Sequence, residues 1–139
     1  MSQLSFHNSF KQAPPPQRNS SNANLPVLQK TAEAYKLWHN ILPHLPRLTR
    51  YSLGEKINLL FIELAELILM ASFTSKQQKT VIIEKASIKL DVLKFFLQTA
   101  WELKALDNKK FSALLTPLTE AGKMLGGWKK QLTKETPPV

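Results

Sequence analysis

A chain of 139 residues with 43% hydrophobic residues is long enough for one domain with its own core, which excludes a wholly disordered protein. The absence of cysteine excludes a disulfide framework and thiolate chemistry, and is typical of a reducing cytosol. A net charge of +9 favours polyanionic partners: nucleic acid, an anionic membrane or an acidic protein surface.

The N-terminal segment, residues 1–24, is predicted to be a disordered tail. It is rich in Asn, Ser and Gln, and it has three consecutive prolines from Pro14 to Pro16. Such a segment cannot bury enough apolar surface to offset its ordering entropy. It lacks the basic-then-apolar order of a signal peptide. Because the apolar run from Ile57 to Phe73 is interrupted by one Asn and two Glu, we expect a cytoplasmic protein without a membrane span.

The first helix is predicted to begin near Asn24. Pro43 and Pro46 end it, because the residue before a proline avoids the helical region. The connector that follows places Arg47 and Arg50 just before the second helix. Since a helix N-terminus repels cations, the two arginines do not cap it. They are interpreted either as solvated loop residues or as phosphate contacts.

Capping motifs predict the starts of the other three helices. Each start has a polar residue that can accept a hydrogen bond from the first turn. The second helix extends to about Ala71, with an acidic stripe on one side and apolar residues on the other. The proposed capping residues are Ser52 with Glu55, Ser75 with Gln78, and Asp107 with Asn108.

The third helix is apolar on more than one side. Between Val81 and Leu106, Ile82 and Ala100 point one way at about 100° per residue, whereas Ile88 and Phe95 point roughly the opposite way. A helix that is apolar on two sides is buried on both. In a chain this short the second burying surface is most simply another copy, which predicts a homo-oligomer.

The fourth helix is predicted from about Lys109 to Leu132, with Pro117 causing a bend or a ragged first part. Gly126 and Gly127 either end the helix or let a neighbouring backbone come close, with the next residue, a tryptophan, clamping that contact. The residues predicted to pack at oligomer or close helix contacts are Phe95, Phe96, Trp101, Gly126, Gly127 and Trp128.

Short loops between four helices predict an all-α, up-down-up-down four-helix bundle over residues 25–133, followed by a flexible tail over residues 134–139. Catalytic patterns are missing: the three histidines lack metal-ligand spacing, and no phosphate-binding glycine motif is present. Glu63 and Glu66 are interpreted as a solvated stripe. We therefore expect no enzyme activity, no metal and no cofactor.

Basic residues give a broader signal, because +7 of the net charge lies after residue 24. Lys85 and Lys89 are one turn apart, and Lys109 and Lys110 open the fourth helix. Each lysine alone fits solvated surface, but together they favour sequence-independent phosphate contact over base reading. The predicted nucleic-acid-binding residues are Arg47, Arg50, Lys79, Lys85, Lys89, Lys94, Lys110 and Lys123.

Three segments carry a family resemblance: LPVLQKTAEAYKLWHNILPHLPRLTRYSLGEKI, LDVLKFFLQTAWELKALD and GKMLGGW. Over Leu25 to Leu132 the chain resembles the four-helix-bundle family that includes the accessory variability determinant (Avd) proteins of bacterial diversity-generating retroelements and the proteins encoded by ribosomal RNA intervening sequences. The resemblance implies a barrel-shaped homopentamer with a basic surface, which binds RNA or DNA and the reverse transcriptase of the element during mutagenic copying.

The same resemblance bears on single positions. Lys94 and Lys123 stand where the family commonly has basic residues, whereas Gln98 stands where relatives often have arginine. Pro117 departs from the usual unbroken fourth helix. Because the lysines are spread round the third helix and Gln98 interrupts them, we expect a composite basic surface across subunits.

Two alternatives stay open. The chain is an oligomeric scaffold that docks a basic protein through the acidic stripe of the second helix, or it is an intervening-sequence type protein without a reverse transcriptase partner. A reverse transcriptase gene beside paired variable and template repeats distinguishes the retroelement protein from the intervening-sequence type.

Overall fold

The computed structural model describes residues 24–135. The predicted tails, residues 1–24 and 134–139, lie outside the described residues except at Asn24, Lys134 and Glu135, which belong to helices. Within residues 24–135 the chain forms four long helices and no β-strand, as expected for an all-α bundle. The helices are α1 (Asn24–Ile41), α2 (Leu53–Phe73), α3 (Lys76–Glu102) and α4 (Asn108–Glu135).

The four helices pack in the order of the chain. The main contacts join α1 to α2, α2 to α3 and α3 to α4, and α4 closes the bundle against α1. Consequently α2 and α4 lie on one diagonal of the bundle and α1 and α3 on the other. The outward sides of α2 and α4 therefore point in opposite directions.

A continuous hydrophobic core runs between the helices. On α3 the buried positions alternate in steps of three and four residues, the spacing of one helical face. Trp38 of α1 stacks on Phe61 of α2 with ring centroids 6.1 Å apart. Each large apolar side chain buried in this way stabilises the fold by about 1.5–3 kcal/mol. The buried residues of α3 are Ile83, Ala86, Leu90, Leu93, Leu97 and Ala100.

The connector between α1 and α2 is folded. A 3-10 turn at Leu42–His44 is followed by a one-turn helix at Arg47–Arg50. The guanidinium of Arg50 donates through Nη2 to the carbonyl of Leu45 at 3.1 Å. Arg50 therefore holds the shape of this connector.

Of the three predicted capping sites, one is confirmed. The Asp107 carboxylate accepts the backbone N–H of Lys110 at 2.7 Å. The prediction for Ser52 is wrong, because its hydroxyl donates backwards to the Leu48 carbonyl at 2.7 Å, which the one-turn helix brings within reach. Ser75 occupies the N-cap position of α3, but its side chain makes no capping hydrogen bond, so that prediction is also wrong.

In α4, one helix runs without interruption from Asn108 to Glu135 with Pro117 buried inside it, so the predicted ragged first part is wrong. The interpretation that Gly126 and Gly127 end the helix is wrong as well, whereas their contact with the backbone of another copy stays a prediction. The helix continues past them, and a methyl group placed on either would meet nothing within 4 Å. Trp128 is buried in the core of its own bundle, at 5% exposure.

Candidate nucleic-acid interface

The outward side of α4 carries a row of lysines. Seven-residue intervals, close to two helical turns, place Lys109, Lys123 and Lys130 on one line, and Lys134 follows one turn later. All four side chains are exposed, and we call this set the lysine face. At about 1.5 Å per residue it spans about 37 Å, close to the length of one turn of a nucleic-acid duplex.

Between its lysines the lysine face carries small and polar residues that project little from the helix. Exposed residues include Ser112, Thr116, Gly126 and Gly127, and none of the exposed large hydrophobic side chains of residues 24–135 belongs to α4. The Thr116 hydroxyl donates to the Ser112 carbonyl at 3.0 Å, so it is turned to its own backbone. The lysine ammonium groups are therefore the main charged groups exposed on the outward side of α4.

Charged side chains on the two flanks of α4 form ion pairs with the neighbouring helices. Glu120 accepts from Lys30 of α1 at 2.8 Å, and its hydrogen bond and charge raise the pKa of Lys30 above its ordinary value. On the other flank Lys129 bridges to Glu84 of α3 at 3.0 Å. None of the four lysines of the lysine face forms an ion pair with a described acid.

The lysines predicted on α3 do not form one surface. Lys89 lies toward α2, where its ammonium donates to Glu63 at 3.1 Å. Lys94 lies on the opposite flank, because a methyl group on Gly122 of α4 would be 3.7 Å from its Nζ. Lys85 shares the α2 side with Lys89. The structure thus divides these predicted contacts between two grooves.

The other predicted residues are distributed over both ends of the bundle. Lys79 places its ammonium 5.9 Å from the ring centroid of Trp128. Arg47 is exposed in the connector, whereas Arg50 is tied to it. Lys110 is exposed at the start of α4. Of the eight predicted residues, only Lys123 belongs to the lysine face.

Three members of the lysine face were missing from the predicted set: Lys109, Lys130 and Lys134. The sequence contains a signal for this face: at seven-residue intervals from Lys109, positions 116, 123 and 130 follow, and all but Thr116 are lysines. It becomes meaningful only if α4 is one continuous helix. The expected disturbance at Pro117 had hidden it.

A second surface lies on the outward sides of α2 and α3. We call it the apolar face. Its members are between 42% and 64% exposed, and Glu55, Glu66 and Asp91 are exposed among them. The residues of the apolar face are Leu59, Ile62, Leu69, Met70 and Phe73 of α2, and Val81, Ile88 and Phe95 of α3.

The apolar face agrees with the prediction that α3 is apolar on two sides. Val81, Ile88 and Phe95 recur every seven residues on the side away from the core. Phe96 is partly buried against the core and contacts Phe95 edge to face at 5.3 Å. On α2 the acidic stripe shares its side with apolar residues, a mixture that a simple amphipathic pattern does not predict.

Residues 24–135 contain no group of three or more His, Cys, Asp or Glu side chains placed to hold a metal ion. In the same range, no helix has an apolar stretch long enough to cross a membrane.

A family model described as bAvd-like matches residues 25–132, which covers all four helices but for their outermost residues. No curated protein and no solved structure matches the chain significantly.

Proposed function

The chain belongs to the bAvd-like family, and from that membership and the lysine face of α4 we propose that it is a non-catalytic accessory protein of a diversity-generating retroelement. It binds the phosphate backbone of RNA or DNA and associates with the reverse transcriptase of the element. The lysine face is the observation that carries the proposal, since its four ammonium groups form no ion pair with a described acid.

Electrostatics favours backbone contact at this face. Within residues 108–135 six lysines stand against two glutamates, and Glu120 is turned toward α1. Each lysine that neutralises a phosphate releases condensed counterions, so binding falls as salt rises. No exposed aromatic side chain lies between the lysines of the lysine face, which favours contact that is independent of sequence.

The test is a pair of charge-matched double variants. Lys123→Glu with Lys130→Glu alters the lysine face, whereas Lys36→Glu with Lys56→Glu makes the same charge change on α1 and α2. The first variant should weaken binding of all sequences alike and reduce the slope of log K against log salt by roughly 1.5. Fluorescence anisotropy with labelled oligonucleotides measures both. An equal loss in the two variants would contradict a localised interface, and binding insensitive to salt would contradict the proposal.

The apolar face supports self-association. We propose that copies of the chain meet through it, and the family resemblance makes a pentamer the expected number. Eight exposed apolar side chains on two adjacent helices form an extended patch of the kind that marks interaction sites. Light scattering at micromolar concentration decides the point, and a monomer there would contradict it.

The reverse transcriptase partnership rests on family membership. Co-expression with the reverse transcriptase encoded beside variable and template repeats should recover a complex. A rival role, a scaffold that docks a basic protein through the acids of α2, is tested by Glu55→Lys with Glu66→Lys. These two carboxylates suit the test better than Glu63, which is engaged by Lys89. Loss of partner binding with unchanged nucleic-acid binding would favour the scaffold.

A further inference from the structure

Trp101 differs from the other two tryptophans of the chain because it is accessible to solvent. Trp38 is fully buried and Trp128 is 5% exposed, whereas Trp101 is 37% exposed. It lies in the last turn of α3, beside residues 103–107, which lead into α4. In an up-down-up-down bundle this loop lies at the same end as the connector that carries Arg47.

The indole of Trp101 is held in place on one edge and one side. Its Nε1–H donates to Asn108 Oδ1 at 2.6 Å. Its ring stacks on Phe111, with centroids 5.2 Å apart and 14° between the planes. Phe111 in turn packs against the core. The ring is therefore a fixed plane, and a planar ligand that stacks on its free side costs little additional ordering of the protein.

Three cationic residues follow Trp101 closely in the chain, and one of them, Lys104, lines the depression beside the indole. Lys104, Lys109 and Lys110 are exposed within ten residues of Trp101 along the chain. The nearby acids are Glu102 and Asp107, and the Asp107 carboxylate already accepts the N–H of Lys110. A depression of about 540 Å³ beside the indole is lined by Trp101, Glu102, Lys104, Leu106, Asp107 and Asn108.

The backbone at Lys104 is an independent observation. Its φ of 65° is the single positive value among non-glycine residues in the described part of the chain. The Lys104 N–H donates to the Trp101 carbonyl and the Ala105 N–H to the Ala100 carbonyl, each at 2.9 Å. This is the left-handed position after a helix, where glycine is usual. Strained non-glycine residues of this kind concentrate at binding sites.

We propose that Trp101 is a stacking platform for an unpaired nucleobase, with Lys104, Lys109 and Lys110 contacting the flanking phosphates. The inference rests on the proposed function and specifies its ligand as single-stranded at this end of the bundle. Aromatic side chains beside a cationic track bind single strands because every base has a stacking plane. Lys109 belongs to both surfaces, so a strand leaving the platform continues along the lysine face.

Intrinsic fluorescence of the unaltered chain is the first test, because Trp101 is its one substantially exposed tryptophan. A 20-nucleotide oligothymidylate should quench and shift the exposed component of the emission. A 20-base-pair duplex should bind without this quenching, since its bases already stack on each other. Oligouridylate of the same length, run in parallel, shows whether the platform prefers the ribose or the deoxyribose strand.

Affinity measured by anisotropy is the second test. Trp101→Ala should weaken oligothymidylate binding about tenfold, and Trp101→Phe should recover most of that loss because phenylalanine also stacks. Leu103→Ala is the matched control, since Leu103 is 64% exposed at the same end and has no aromatic plane. An abasic phosphate oligomer of equal length should bind the unaltered chain and Trp101→Ala equally.

The outcomes separate the two proposals. If the abasic oligomer binds the unaltered chain as tightly as oligothymidylate, or if Trp101→Ala binds oligothymidylate normally, the stacking platform is overturned while phosphate binding stands. If none of the probes binds at low salt, the proposed function fails and the platform with it. Should Trp101→Ala unfold, the quenching and the Trp101→Phe affinity decide the matter.

Discussion

Helices α2 and α4 both bury an apolar inward face, but their outward faces differ in charge and in exposed apolar side chains. Residues 53–73 of α2 carry one lysine against three glutamates, whereas residues 108–135 of α4 carry six lysines against two glutamates. The outward side of α2 exposes Leu59, Ile62, Leu69, Met70 and Phe73, and α4 exposes no large hydrophobic side chain. The core constrains one side of each helix and leaves the other free to specialise.

The diagonal placement of α2 and α4 has a physical consequence. Apolar contact with another protein removes water and penalises charge, whereas phosphate binding needs exposed cations. Because the two helices point in opposite directions, a protein on the apolar face leaves the lysine face accessible. One small bundle therefore has room for two kinds of partner at once.

The largest expected effect comes from charging the apolar face. Ile62→Glu with Ile88→Glu, one change on each helix, should convert the proposed oligomer to a monomer, because central apolar contacts are worth about 2–4 kcal/mol each. Light scattering measures the mass. Lys123→Glu with Lys130→Glu is the reciprocal control and should keep the mass while losing nucleic-acid binding. If the isoleucine variant keeps its mass, the apolar face is not where copies meet.

A smaller effect is expected on the lysine face itself. Gly126→Ala with Gly127→Ala should raise the free energy of unfolding by roughly 1–2 kcal/mol in total, because alanine favours a helix and both sites are open. Chemical denaturation measures it. Gly122→Ala should give no such gain, since its methyl group would lie 3.3 Å from Leu90 Cδ2. Destabilisation by the double variant would mean that α4 has a close neighbour there.

Lys104→Gly separates stability from binding at the end of α3. Glycine removes the strain of the left-handed backbone at position 104, but it also raises the conformational entropy of the unfolded chain. The net effect should be a stabilisation of the fold by about 0.5–1 kcal/mol. Single-strand affinity should fall because one cation beside Trp101 is lost. Denaturation and anisotropy on the same sample measure the two effects. A variant that is more stable and binds as tightly as before would remove Lys104 from the site.

The smallest effect concerns Glu120, the acid of α4 that is turned away from the lysine face. Its hydrogen bond and charge, with the charge of Glu33, raise the pKa of Lys30 above 10.5. The pair therefore stabilises the fold below the unfolded pKa, and its contribution is lost as pH rises through the higher folded value. Glu120→Gln should remove most of the upward shift in an NMR titration of Lys30. An unchanged titration would mean that Glu120 is not its partner.

The number and order of the helices were predictable because the apolar residues of each helix recur at the spacing of one helical face. Pro43 and Pro46 set the end of α1, and Asp107 caps α4 as expected. The caps at Ser52 and Ser75 were not predictable from local motifs. For Ser52 the reason is visible, since the folded connector offers a competing carbonyl.

The candidate site was predicted less well than the fold. Lys123 was found through a family position and Lys110 through its place at the start of the fourth helix. The ion pair of Lys89 with Glu63 was not predictable, because the two residues are 26 positions apart in the chain and no local pattern links them. Lys130 and Lys134 were missed because the disturbance expected at Pro117 hid the line that they share with Lys109 and Lys123 along one continuous helix.

The sequence by itself determined the all-α class, the four helices, the second apolar side of α3 and the family, since each is encoded in local periodicity and motifs. Only the tertiary structure decided which lysines share a surface and which form ion pairs with neighbouring acids. It also decided that α2 and α4 lie on one diagonal of the bundle. Charge pairing and diagonal placement depend on contacts between residues far apart in the chain. No local pattern carries that information.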